Sequence, residues 1–526
     1  MSQGTVISDE RTGQASANGA GLGALSAGRE LRHVLDDILG TSPTPSEHTL
    51  SRSEQFLAEK SLSRALALWL EPPEGMRGAA LAQFLRSRLV RDIAQLNALL
   101  SAQVQAILHH PTFQRLEASW RGLYYLVHQV KDSENIRVRV LHATWRDLAR
   151  DFEKALEFDQ SQLFRKVYNE EFGMPGGIPY SVLLGDYEIH PRPSAQHPMD
   201  DLAILSKVAG VAAAAFAPFL TAAHPSMFEL DSFTELERLK EPGKAFENAE
   251  FLKWRALRDT EDARFVGLLL PRVLMRLPYG EDSRRVDRFL FREEVSAPDR
   301  SGYLWGSPIY PFGTVLARSF AESGWLADIR GVQRDVEGGG LVTGLLEPHF
   351  STERPSVAPR PATEAVITDA QEKELSELGF IPLCPCQYTS LSAFYSNQSI
   401  QKPKVYEELA STVNARLSAM LQYMLCVARF AHYLKVMARD KIGTFTNPAD
   451  CEEYLRAWLR NYTIGNDNAA TDIKARYPLR ESKVQIRERT DKPGTYVCSI
   501  HLRPHFQLDQ MTTAVKLVTE LAPKQG

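Results

Sequence analysis

Thirteen histidines and five cysteines are the side chains best able to ligate a metal or act as nucleophiles, and their spacing does not gather them into a centre. Cys384-Pro385-Cys386 is a close thiol pair, but a zinc site would need two further ligands at matching spacing, and none is evident. His109 and His110 are adjacent. His190, His197, His224, His432, His501 and His505 have no cysteine or carboxylate at a regular motif interval, so structurally satisfied histidines are expected. The chain contains no G-x-x-x-x-G-K-[ST], no H-E-x-x-H and no G-x-S-x-G. Gly19, Gly21 and Gly23 follow no strand pattern and read as a flexible tail rather than a dinucleotide loop. Carboxylates are so abundant that no acid and base pair stands out. The expectation is therefore a non-enzyme with no catalytic, metal-binding or cofactor-binding residues and no cofactor.

Composition narrows the partners. The chain has 526 residues, 44% of them hydrophobic, which is ample for two to four domains. Its net charge of -4 comes from 61 basic and 65 acidic residues, so neither nucleic acid nor anionic lipid is the expected partner. Sparse cysteines fit a reducing compartment, and the Gly/Ser/Ala-rich stretch from Met1 to Gly28 does not read as a secretory signal. A cytoplasmic location is expected, and the tripeptides at Asn397 and Asn461 then read as chance glycosylation matches. The most membrane-like run, Val208 to Ala223, is too short, too alanine-rich and interrupted by Pro218, so close helix packing is expected there instead of membrane insertion.

The elements that would position any site fall in a definite order. Arg29 to Leu39 places Leu31, Val34, Leu35, Ile38 and Leu39 on one helical stripe, ahead of a Pro-containing linker from Thr41 to His48. This helix either docks on the body or hangs as a tethered peptide. From Leu50 to Val130 helical periodicity dominates, and after Pro111 the residues Phe113, Leu116, Trp120, Leu123 and Val127 form a seam expected to face the core. Asn135 to Leu141 alternates with period two and predicts a half-exposed strand. Tyr180 to Leu184, Phe265 to Leu270 and Ala365 to Thr368 are further strand candidates, with an alanine-rich helix over Asp201 to Phe216 between them. Pro355 to Pro361 reads as a surface loop. Lys404 to Lys441 reads as one long helix, with Val405, Leu409, Leu417, Leu421, Met424 and Leu434 among its apolar positions.

Beyond it lies a hairpin. Val484 and Ile486 alternate with Lys483, Gln485 and Arg487, and Tyr496, Cys498, Ile500 and Leu502 share one face of the next strand. Asp491-Lys492-Pro493-Gly494 is the turn between them. Two strands alone are marginal in water and leave backbone groups unpaired on both edges. Either the hairpin lies flat on its own domain, or further strands reach it from upstream or from another chain.

Several segments in sequence carry a family resemblance. HPTFQRLEASWRGLYYLV (His110 to Val127), DQSQLFRKVYNEEFGMPGGIPYSVLLGDYEI (Asp159 to Ile189) and LLLPRVLMRLPYG (Leu268 to Gly280) are similar to the large sheath subunit of bacterial type VI secretion systems. So are YLWGSPIYPFG (Tyr303 to Gly313), ELGFIPL (Glu377 to Leu383), ARFAHYLKVMARDKIG (Ala428 to Gly443) and PGTYVCSIHLRPHFQL (Pro493 to Leu508). The resemblance covers nearly all of the chain after the N-terminal arm.

The resemblance implies a mixed α/β (α+β) contractile tail-sheath-like fold. Its divisions would be an arm with linker (1–48), a sheath body that is helical and then mixed (49–390), and a C-terminal domain with long helix, hairpin and final helix (391–526). It also implies a heterodimer with a small sheath subunit that polymerises with further copies into a helical sheath on a baseplate, around an inner tube protein, and contracts to propel that tube. The hairpin would join an intersubunit sheet, the 29–39 helix would be recognised by an AAA+ unfoldase, and the final helix, about Leu508 to Leu521, would turn Asp509, Lys516 or Glu520 toward the tube. A phage-like contractile sheath is the nearest alternative, and a cytoplasmic enzyme built on the mixed middle region a more distant one.

Overall fold

The computed structural model describes residues 52–505, apart from 74, 281–288, 290, 296–299, 333–336, 349–360, 387–388, 390, 441–447, 467 and 489–495. The chain divides into two compact units, one ending at Leu96 and the other beginning at Asn97. In the first, helices α1 (Arg52–Ala58) and α2 (Leu62–Leu70) precede α3 (Gly78–Leu108), in which the division falls. Phe56 and Trp69 pack with ring centroids 5.2 Å apart, and the Trp69 indole donates to Asp92 at 2.9 Å, satisfying a carboxylate that is itself buried.

The second unit is built on a six-stranded mixed sheet. Strands β1 (Leu183–Ile189), β2 (Phe219–Ala223), β3 (Val266–Leu270) and β7 (Phe380–Pro385) run parallel in that order, and β8 (Ser392–Phe394) and β6 (Leu341–Val342) add antiparallel at the far side. A separate antiparallel pair joins β4 (Val273–Arg276) to β5 (Leu304–Gly306). Parallel neighbours need crossovers, and α6 (Asp201–Ala215) supplies the one between β1 and β2.

The inner strands β2, β3 and β7 are covered on both faces and show no apolar–polar alternation, while β1 at the edge of the sheet carries Asp186 and Glu188. Side-chain direction still alternates. Phe219, Leu268, Leu270 and Phe380 enter one core with Leu205, Val208, Phe233 and Trp254, whereas Leu220, Leu269 and Ile381 enter a second with Phe312, Val315 and Phe394.

Five expectations are corrected. The run Val208 to Ala223 is a helix-to-strand junction: α6 ends at Ala215, Phe216 turns into the left-handed region at φ 50°, and β2 begins just after Pro218. The seam on α4 (Pro111–Val130) faces outward, with Leu116 57% and Trp120 65% exposed, while Leu123 is partly buried. The buried stripe is Ala118, Gly122, Leu126 and Val130, because α7 (Ile309–Ser323) packs so close that a Cβ on Gly122 would stand 2.2 Å from the Tyr310 ring. Neither Asn135 to Leu141 nor Ala365 to Thr368 is a strand; the first has no pairing partner among the described residues, and the second leads into α8 (Asp369–Glu377) through a capping box on Thr368. The long helix is two, α9 (Leu409–Ala419) and α10 (Leu421–Asp440), because Met420 takes an extended backbone (ψ 123°) and bridges to Gln398. The expected strands at Tyr180 to Leu184 and Phe265 to Leu270 correspond to the start of β1 and to β3.

Candidate assembly interface

A third core carries the hairpin. Helix α10 and helix α11 (Pro448–Arg460) bring Phe430, Leu434, Leu455 and Leu459 together, and Trp325 stacks on Phe430 with centroids 3.9 Å apart. Helix α11 has the amphipathic spacing that such a platform needs, burying Leu455 and Leu459, one turn apart. Onto this platform fold β9 (Leu479–Glu488) and β10 (Tyr496–Pro504), antiparallel, with Cys498 opposite Ile486, Ile500 opposite Val484 and Leu502 opposite Ser482. Val484 is 2% exposed, Ile486, Ile500 and Leu502 pack partly buried beside it, and Cys498 is exposed beyond the platform. Lys483, Gln485, Arg487, Val497, Ser499, His501 and Arg503 alternate onto the solvent face. The apolar face of the hairpin is thus closed by its own domain.

The two edges differ. The backbone N–H of Ile486 donates to Glu452 Oε2 at 3.1 Å, so it points away from β10. In an antiparallel ladder this makes Ile486 and Cys498 a pair that exchanges no hydrogen bonds, and alternation extends the same to Val484 with Ile500 and to Ser482 with Leu502. The outer edge of β9 is occupied at both ends: Glu452, held by Arg456, takes Ile486, and Leu479 exchanges bonds with Tyr462 and Ile464 at 3.2 and 2.9 Å. Thr463 Oγ1 also meets Ser482 Oγ at 3.3 Å. On β10 the N–H groups of Cys498, Ile500 and Leu502 point outward, and no strand pairs with that edge among the described residues. Sequence reading assigned the hairpin face but missed Glu452 and Thr463, which close β9. The only sign of them was their place on and just after an amphipathic helix.

The other expected sites distribute as follows. Leu31, Val34, Leu35, Ile38 and Leu39, and also Asp509, Lys516 and Glu520, lie outside the described residues. Among the chemistry-bearing groups, burial pushes the Cys426 thiol up to about 12, and burial followed by Glu372 and Asp369 raises Cys384, so neither offers a thiolate. His432 is held neutral, pushed down to about 4 by burial, and its Nε2 meets the Ala215 carbonyl at 3.0 Å. The reading of His190, His197 and His224 as separate residues is overturned: the fold stacks their three rings and sets a buried carboxylate beside two of them. Among the described residues no helix is long and apolar enough to cross a membrane.

Comparison with known proteins addresses the whole chain. Residues 90–401 match the family described as EvpB/VC_A0108, tail sheath N-terminal domain, and residues 410–521 match its tail sheath gpW/gp25-like domain. A curated relative, the type VI secretion system sheath protein TssC1 of Pseudomonas aeruginosa, is 40% identical over 432 residues, spanning 82% of this chain and 85% of the relative. A loose likeness, with TM-score 0.31 and 10% identity over 61% of this chain and 68% of the other, is to the contracted helical sheath of the anti-feeding prophage. With both of its tail-sheath domains matched in order and a relative of this identity along most of its length, the chain belongs to the type VI secretion tail-sheath family.

Proposed function

We propose that this chain, a structural sheath subunit by family, builds its lattice by accepting a strand from a neighbouring chain onto the open edge of β10. The observation that carries this reading is the asymmetry of the hairpin: its face and its β9 edge are satisfied within the chain, while Cys498, Ile500 and Leu502 present donors outward. An exposed edge is a template for strand addition, and backbone bonds there add affinity without a specialised pocket. A rigid platform under the hairpin lets such a joint transmit a rotation of whole subunits, which is how a bistable lattice releases stored free energy without nucleotide chemistry on this chain.

The remaining roles follow the family. The chain pairs with a small sheath subunit, polymerises in the cytoplasm from a baseplate around an inner tube protein, and contracts to drive that tube. Residues 1–48 act as an arm, 49–390 as the body and 391–526 as the linking domain, with the segment after residue 505 turned toward the tube. The 29–39 helix serves as the handle for an AAA+ unfoldase. Leu35→Asp with Ile38→Asp is expected to leave tubules intact and abolish unfoldase binding; unchanged binding would refute that role.

The strand joint is tested by co-expression with the small sheath subunit and negative-stain microscopy. Ile500→Pro removes an outward donor without touching a bond inside the hairpin, so a folded chain that forms no tubules is expected. Tubules at the level of the unsubstituted chain would overturn the joint.

A further inference from the structure

A polar cluster sits outside the carboxyl ends of the parallel strands, where open α/β sheets place their ligands. His190 follows β1 directly, His224 follows β2 directly, and Asp201 opens α6. The Asp201 side chain is wholly inaccessible, and two imidazoles aim at it: His190 Nδ1 lies 3.1 Å from Oδ2 and His197 Nε2 lies 2.7 Å from Oδ1. Each carboxylate oxygen also receives one fixed donor, the Trp145 indole at 2.8 Å on Oδ1 and the His190 backbone N–H at 2.9 Å on Oδ2. The ring of His190 is sandwiched between His197 and His224, with centroids 4.1 and 4.0 Å away, and His224 is itself fixed by Ser226, whose Oγ lies 2.8 Å from its Nδ1.

We propose that His190, His197 and Asp201 form a binding site for a divalent transition-metal cation, zinc in the first place. The three ligand atoms lie within 4.8 Å of one another. Ligands about 2.0 to 2.1 Å from a tetrahedral zinc stand about 3.3 Å apart, and His190 and His197 now contact the two different oxygens of the carboxylate at 3.1 and 2.7 Å, so both imidazoles must draw back from Asp201 to admit the ion between them. Two imidazoles and one carboxylate suit zinc better than calcium or magnesium, which take oxygen sets. Both imidazoles bind the cation as neutral tautomers, each carrying its proton on the nitrogen turned away from it. Trp145 and the His190 amide then serve as the outer contacts that orient a ligating carboxylate.

Without a cation, the same atoms form a His–Asp–His hydrogen-bond cluster. What favours a metal is convergence: both imidazoles aim a nitrogen at a carboxylate already supplied with two other donors, and both rings remain about one-fifth exposed, open to an incoming ion. The fourth position falls to water from that side. The cation would tie the segment between β1 and α6 to the first residue of that helix. This site does not depend on the strand joint.

The test uses the full chain in its native assembly, stripped with a chelator and titrated with cobalt(II) as a spectroscopic stand-in for zinc. One equivalent per chain with the intense visible bands of tetrahedral cobalt is expected. His197→Gln, which can still hydrogen-bond Asp201, is expected to weaken binding at least tenfold. His224→Phe keeps a ring in the stack without being a ligand and is expected to bind as the unsubstituted chain does. Absence of stoichiometric cobalt binding, or equal binding by His197→Gln, would overturn the site, the latter meaning an adventitious ion elsewhere.

Discussion

The central sheet and the C-terminal hairpin solve the same problem in opposite ways. In the sheet, β1, β2, β3 and β7 each find a neighbour inside the chain, and apolar cores cover both faces. In the hairpin, one face is covered, one edge is closed by Glu452 and the loop at Tyr462 to Ile464, and the other edge is left open. The difference teaches where this molecule is self-sufficient and where it is not. Backbone groups are obligatory hydrogen bonders, so an edge left unpaired on a packed support is met by water in the free subunit and, under the proposal above, by a strand from another chain in the assembly.

That contrast can be broken from either side. Phe380→Ala removes a fully buried ring that packs against Trp254 and Phe228, and should cost about 3–5 kcal/mol of stability, read as a fall in the unfolding midpoint of the body. Glu452→Ala removes the acceptor of the Ile486 N–H and reopens β9. Its expected cost is about 1 kcal/mol in denaturant unfolding, together with new self-association through the second edge. Ile500→Pro keeps the hydrogen bonds inside the hairpin and gives up part of the Ile500 packing beside Val484, so the chain should stay folded, yet assembly should be lost altogether. If stability and assembly fell together in that variant, the division between self-sufficient and open regions would fail.

Sequence alone revealed the hairpin because a half-covered sheet alternates, and Val484, Ile486, Ile500 and Leu502 do so plainly. The parallel strands were harder to read for the converse reason. Phe219–Ala223 and Phe380–Pro385 are buried on both faces, so they carry no alternation, and the first merged into the apolar run that begins at Val208. On α4 both faces carry apolar residues, and periodicity selected the outward one. The inward one is marked by Ala118 and Gly122, whose small size is what allows Tyr310 to approach. Asn135 to Leu141 alternates but has no partner strand among the described residues, and no local pattern contains that fact. The histidine cluster was invisible because it is tertiary: intervals of seven residues from His190 to His197 and 27 from His197 to His224 match no motif, and only the parallel register of β1 and β2 brings the two strand ends together.

The central claim is that the outer edge of β10 is free in the subunit and paired in the sheath. Amide hydrogen exchange, resolved to single residues, reads this directly. In the unassembled chain the N–H groups of Val497, Ser499 and His501 should be protected by β9, while those of Cys498, Ile500 and Leu502 exchange rapidly; on assembly the second set should slow to match the first. Protection of Cys498, Ile500 and Leu502 before assembly, or rapid exchange of all three within the assembled sheath, would contradict the account.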